Sequence, residues 1–417
     1  LADNYTIIVN DAADAVTGTF SSLPEGATIT AGGNGTILTA SYVGGNGNDF
    51  LLTAPINVAP VVSNLNADSV TFIEDEPFVL LDATNDATVT DSDSVDFDGG
   101  NVTVSIITNR VNTEDVLSIR NEGIAGGQIG TSGLNITYGG TIIGTRTANG
   151  GTDNHDLVIT LNSSATPAII QALVRNLVYS NTNTTEPDTT SRVVRVTIDD
   201  GDGATTSGAD ISVAITATND APTLTATGGT PTFTEGGAAV DLFNSVSVDT
   251  IEAGELINTL AFTVANLANG SSEILEVDGS SLPLVSGSST TATNALSASV
   301  LVVGSTATVT LSKVGGISTA AVQTVIDGMT YLNNNVNPTG TSRIVTLTSI
   351  QDSGGVTNGG VDTASLSVVA TVTISAVNSA PVVTASGAVI AFTEGNNAVS
   401  VPVVIDAGIT VSDIDNA

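Results

Sequence analysis

Cysteine and tryptophan are absent from these 417 residues, and methionine and histidine occur once each. Without thiols there is no disulfide scaffold, no zinc–thiolate centre and no thiol nucleophile. Basic side chains are scarce as well: 8 Lys and Arg stand against 42 Asp and Glu, a formal charge of −34. That balance excludes nucleic acid, because affinity for phosphate depends on clustered Lys and Arg, and an anionic membrane surface is repelled for the same reason. No apolar run approaches the ~18–20 residues needed to cross a bilayer, so no membrane insertion is expected within this segment. Aromatic residues make up only 3%, too few for the ring platforms that usually accompany paired sugar-cleaving acids. No P-loop, dinucleotide fingerprint or HExxH occurs, and His155 stands between Asp153 and Asp156 on a polar turn. Catalysis is therefore not expected. The chain opens on Leu1 inside a strand pattern, without an initiator Met or a basic-then-apolar leader, and reads as a processed or excerpted piece of a longer polypeptide.

What is present is a buried-core composition with a long repeat. Apolar residues make up 41%, and Val, Ile and Thr alternate over short runs bounded by Asn, Asp and Gly, the pattern of half-buried strands. A signature of Ala-Pro followed by Phe-x-Glu occurs three times: Ala59-Pro60 with Phe72 and Glu74, Ala221-Pro222 with Phe233 and Glu235, and Ala380-Pro381 with Phe392 and Glu394. The prolines lie 162 and 159 positions apart (222 − 60 and 381 − 222), which means tandem domains. The spacing predicts a β-rich segment over 1–54, a first repeat over 55–218, a second over 219–377 and the start of a third over 378–417. Each full repeat also carries one helix pattern. Thr166 is its expected N-cap and Pro167 its first turn, followed by Ile169, Ile170, Leu173, Val174 and Leu177. Its counterpart 152 positions later is Ala321, Val322, Val325, Ile326 and Met329. Gln171, Tyr179 and Arg192 recur as Gln323, Tyr331 and Arg343. The predicted fold is all-β: tandem antiparallel β-sandwiches, each with one short helix and each larger than the ~100 residues of an immunoglobulin-like domain.

The stretches "TNDAPTL…PTFTEGG", "LVITLNSSATPAIIQALVRNLVYSNTN…RVVRVTIDDGDGATTS" and "ITVSDIDNA" resemble the cadherin-like repeats of very large bacterial surface proteins and adhesins, over residues 55–417. The order "VTGTFSSLPEGATIT…ASYVGGNGNDFLLT" resembles the closing segment of passenger-type bacterial surface proteins, where a parallel β-helix ends. The resemblance implies an extracellular or cell-surface location and a string of sandwiches that binds calcium at or near its domain junctions. It also implies adhesive or structural work, with other copies, adjoining domains of a longer chain, or a surface receptor or glycan as partners. A self-assembling filament or surface-layer subunit, joined by strand addition between the segments 1–54 and 378–417, is the alternative.

Acidic residues gather on Gly-rich turns, where hard oxygen donors suit calcium. In the first repeat these are Asp91, Asp93, Asp96 and Asp98, with Asp199, Asp200 and Asp202; Asp220 stands at the next junction, and Asp413 and Asp415 repeat the D-x-D spacing. The runs are not EF-hand loops, since Val95 falls at a ligand position and no Glu closes the loop. Glu74, Glu235 and Glu394 are either ligands or strand ends. In the second repeat D-x-D becomes Asp249-Thr250-Ile251-Glu252, and D-D-G-D-G becomes Gln351-Asp352-Ser353-Gly354-Gly355. Calcium is thus expected in the first repeat, and the second is expected to have lost ligands. Residues 44–52 also fit a calcium nonapeptide, but a single copy has no stacked neighbour and reads as a Gly-rich turn before a strand.

Overall fold

A computed structural model describes residues 4–10, 16–30, 37–45, 47–54, 57–387, 389–394, 396, 399 and 401–415. The chain divides into two compact units, Leu1–Ala217 and Thr218–Ala417. Strands are the main regular element of both, as alternating apolar and polar residues dictate when one sheet face is buried.

The first unit begins with a four-stranded sheet in the order Asn4–Ile8, Asp49–Thr53, Ile37–Gly44, Thr28–Thr30, with every pairing antiparallel. Ala40, Tyr42 and Phe50 form its small core, and Phe20 packs edge-on against Phe50. Ile37–Gly44 and Asp49–Thr53 pair as a hairpin, and Gly45 and Gly47 between them take positive φ. Residue 46 lies outside the described residues.

The sandwich that follows sets an eight-stranded sheet against a three-stranded one. At the centre of the larger sheet, Asn101–Thr108 pairs with Leu157–Leu161 on one side and with Arg192–Asp199 on the other. Ala209–Thr216 comes next, and Ser69–Ile73 closes that edge as a parallel strand. The smaller sheet runs Asp115–Ile119, Leu177–Asn181, Val79–Leu80. The apolar faces meet around Phe72, Val104, Ile159, Val196 and Tyr179.

Helix α1, Pro167–Val174, packs into this core with Ile170, Leu173 and Val174 buried. It is shorter than its apolar spacing suggests: Leu177 is already the first residue of a strand, and the Thr166 side chain makes no cap bond. In the second repeat α2, Thr319–Asp327, is capped by Ser318, whose side chain accepts the Ala321 N–H.

The second unit repeats this plan with a seven-stranded and a four-stranded sheet, again closed by a parallel edge pairing, Thr232–Thr234 with Thr363–Ser375. Length differs mainly in the edge meander. Asp115 and Tyr179 bond across 64 residues, their counterparts Glu273 and Tyr331 across 58. The extra hairpin residues sit at the sheet edge and leave the centre unchanged.

Among the described residues of 378–417, the third copy forms one short ribbon, Val382–Thr384 with Thr410–Ser412. Phe392 is 63% exposed, whereas its counterparts Phe72 and Phe233 are 1% and 0% exposed.

Candidate metal sites

In the first repeat the strand Thr88–Thr90 delivers the chain into the acidic loop. Asp91 Oδ1 accepts the N–H groups of Asp93 at 3.0 Å and Ser94 at 2.9 Å, folding the loop on itself. Asp93 Oδ2 accepts Val58 N–H at 3.1 Å, which fixes the incoming chain to the loop. From the far end of Arg192–Asp199 comes Asp200, only 1% exposed. Its Oδ1 accepts from Asp202 N at 2.9 Å, Ala204 N at 3.1 Å and Asn57 Nδ2 at 3.3 Å. Its Oδ2, like Asp91 Oδ2, is buried without any hydrogen-bond partner. Burial raises the Asp202 carboxyl above its ordinary pKa, and the charges of Asp200, Asp93, Asp96 and Asp91 raise it further. Five carboxylates from two distant loops therefore share one pole of the sandwich.

Glycine makes this convergence possible. A Cβ on Gly100 would lie 2.1 Å from Asp199 O, and one on Gly201, where φ is +88°, would lie 2.2 Å from Asp98 O. The two acidic loops touch backbone to backbone, which no side chain at these positions would permit.

The second repeat holds a cluster of the same design. Asn219 Nδ2 donates to Asp352 Oδ1 at 3.1 Å, as Asn57 does to Asp200, and Asp220 N–H donates to Glu252 Oε1 at 2.9 Å, as Val58 does to Asp93. Buried oxygens without partners are more numerous here: Glu252 Oε2, Glu255 Oε2, Asp352 Oδ2 and Asn219 Oδ1. Burial, then the charges of Asp352 and Glu252, push the Glu255 carboxyl up to about 7. Glu252 and Asp352 are raised as well, each chiefly by burial. A Cβ on Gly354 would fall 1.7 Å from Asn219 Oδ1 and 2.2 Å from Glu255 Oε1.

Of the residues expected from the sequence, Asp91, Asp93, Asp96, Asp200 and Asp202 are brought together. Asp98 is exposed, its N–H donating to Asp96 Oδ1 at 3.2 Å. Asp199 is engaged within its own hairpin, accepting from Gly201 N and Thr205 Oγ1 at 3.0 and 2.8 Å. Asp220 joins the second cluster. Glu74 follows the strand Ser69–Ile73, and its N–H bonds Thr216 O at the pole opposite Asp200. Glu235 occupies the matching place, its Oε2 accepting Val377 N–H at 2.9 Å. At the third copy Asp415 N–H donates to Asp413 Oδ1 at 3.0 Å, and Asp415 accepts Ser379 N–H, the same pair of contacts seen at Asp91 and Asp93.

Asn57, Asn219 and Glu255 were not singled out from the sequence. Their signal is register: 252 − 93, 255 − 96 and 248 − 89 all equal 159, so Glu252 and Glu255 stand where Asp93 and Asp96 do, while 219 − 57 gives the 162 of the prolines. Asp352 stands at the place of Asp200 by the helix offset, 352 − 200 = 152.

The donors are all oxygen, which fits a hard cation such as calcium and fits softer metals poorly. Among the described residues no three acidic or histidine side chains already converge as a metal-holding group. The acids share a pole and feel one another's charge, and closing on an ion would require side-chain rotation. His155 is exposed on its turn, with Nδ1 against Thr152 O at 3.1 Å.

No family model matches the sequence, and no curated protein is similar to it. Among solved structures, the chain is similar to the protocadherin gamma B2 extracellular cadherin domains 3–6, at 13% identity and a TM-score of 0.28, covering 85% of this chain and 55% of that one. The protocadherin gamma B4 extracellular domain matches at 14% identity and TM-score 0.24, over 91% and 42% of the two chains. Drosophila N-cadherin EC1-3 matches at 11% and 0.15, over 77% and 69%. The chain thus spans about half the length of the first two. Fits this loose leave the fold to rest on the strand pairings themselves.

Proposed function

We propose that this chain is an extracellular structural or adhesive module of a bacterial surface protein, a rod of β-sandwich repeats whose acidic poles hold calcium. The observation that carries the reading is the set of buried, partnerless oxygens, Asp91 Oδ2 and Asp200 Oδ2 in one repeat and Glu252 Oε2, Glu255 Oε2 and Asp352 Oδ2 in the other. Burying a carboxylate oxygen without a donor is costly, and this chain has almost no cations to spare for the purpose. Bound calcium supplies positive charge that offsets the repulsion between these carboxylates. In the first repeat Asn57, Asp91, Asp93, Asp96, Asp200 and Asp202 would hold it; in the second, Asn219, Asp220, Glu252, Glu255 and Asp352. The second repeat is thus proposed to bind as well, with longer glutamates in place of aspartates. Other copies, adjoining domains, or a surface receptor or glycan are the partners this role implies. Calorimetric titration of the intact chain tests the reading: calcium binding in both repeats is expected, with a higher Tm and a larger maximum dimension in solution scattering than in chelator. An unchanged Tm and an unchanged dimension would remove calcium from the function.

A second reading, assembly of copies by strand complementation, draws on the exposure of Phe392 where Phe72 and Phe233 are buried. An apolar segment left exposed can pair as a strand with another chain's sheet edge. Sedimentation across a wide concentration range decides it: concentration-dependent assembly that Phe392→Asp abolishes supports the reading, and a monomer throughout rejects it.

A further inference from the structure

Among the described residues, each acidic loop grows from a strand that has one strand neighbour. Thr88–Thr90 pairs with Val61–Ser63, and Phe243–Asp249 with Thr223–Gly228, each pair forming a separate two-stranded ribbon. The other edge of each strand lies against the helix of its repeat. Val89 and Val248 are both buried, so main-chain groups on this edge are largely shielded from water and gain from a partner. A helix cannot offer a ladder, because its own main-chain groups are used internally.

In both repeats a glutamine fills the gap. Gln171 Oε1 accepts the Val89 N–H at 3.4 Å, and Gln323 Nε2 donates to the Val248 carbonyl at 3.4 Å. The glutamines correspond (323 − 171 = 152, the helix offset) and so do the valines (248 − 89 = 159). One end of the amide is used in one repeat and the other end in the other. The edge uses an acceptor in the first repeat and a donor in the second, and a primary amide offers both, as a peptide unit does.

We infer that Gln171 and Gln323 are positioning residues for the acidic loops: each stands in for a missing strand on the edge that delivers Asp91 and Asp93, or Glu252 and Glu255, and so sets the cation affinity of its repeat. The affinity part rests on the calcium reading; the hold on the loop does not. Outer residues that orient ligands typically change metal affinity about 10–100-fold when removed.

The test uses the intact chain with Gln171→Met and Gln323→Met, which keep helix propensity and bulk but lose the amide. Hydrogen exchange at the Val89 amide in chelator is expected to quicken at least about tenfold in Gln171→Met and to stay near wild type in Gln171→Glu, which keeps the acceptor. Calcium isotherms, taken with Asp352→Asn or Asp200→Asn to silence one repeat at a time, should show about tenfold weaker binding in the first repeat for Gln171→Met and in the second for Gln323→Met. Wild-type Val89 exchange in Gln171→Met rejects the positioning role. Faster exchange with unchanged isotherms rejects its link to affinity. If the wild-type chain takes up no calcium, the proposed function and the affinity link fall together, while Val89 exchange still decides whether the glutamine holds the loop.

Discussion

Arg192 and Arg343 are fully buried cations in a chain that has few cations at all. Arg192 Nε sits 3.1 Å from both carboxylate oxygens of Asp115, and Tyr179 Oη donates to Asp115 Oδ1 at 2.5 Å. Arg343 Nε and Nη2 grip Glu273 at 2.6 and 3.1 Å, and Tyr331 Oη donates to the same carboxylate at 3.1 Å. Each arginine belongs to the larger sheet, while its acid and tyrosine belong to the smaller one, so the cluster ties the two halves of a cysteine-free sandwich. Burial, together with the neighbouring carboxylate, raises both tyrosine hydroxyls and keeps them protonated donors. Removing one member of such a pair strands a buried charge. Arg192→Ala and Arg343→Ala are expected to cost about 3–5 kcal/mol, and Tyr331→Phe about 1–3 kcal/mol, the cost of one buried hydrogen bond; denaturant melts of each variant check both.

A second expectation at this scale concerns pH. Glu255 binds its proton more tightly folded, about 7, than unfolded, 4.5, and Glu252 and Asp352 shift the same way. Between those values the folded state holds more protons, so in chelator the second unit should lose stability as pH rises from about 4.5 to about 7. Melting the isolated second unit in chelator across that range checks it; a Tm that rises or stays flat would contradict the assignment.

At the scale of elements, loops rather than strands decide the sites. The Gly100 and Gly201 contacts leave no room for a methyl group, so Gly100→Ala should push the two acidic loops apart. Loss of about 1–3 kcal/mol is expected from such overpacking, with weaker calcium uptake in the first repeat only; an unchanged melt and isotherm would mean the loops tolerate separation. Helix existence and face were legible from the apolar spacing, since Ile170, Leu173 and Val174 are the residues buried. Its end was not, because Leu177 continues the helical spacing while its backbone pairs with Ile119, and tertiary pairing overrides local pattern. The acidic sites were half legible. D-x-D and D-D-G-D-G announced themselves, but each site combines three stretches that repeat at offsets of 162, 159 and 152, so no single alignment register displays the second set.

For the whole molecule, each full repeat has its own continuous core. Fragments 55–218 and 219–377 should therefore each unfold as one cooperative transition when made alone. A fragment lacking a sigmoidal melt would show that its core needs the rest of the chain.

By itself the sequence determined the all-β class, the period near 160, the one helix per repeat and the poverty of cations. These are properties of composition and spacing, which survive insertions. Only the tertiary structure decided which acids share a pole, that Glu74 and Glu235 stand at the other end from their own repeat's cluster, and that Asp115 meets Arg192 across 77 residues. Those depend on strand order, and strand order is set by which apolar faces close on one another, information that no local stretch of the chain contains.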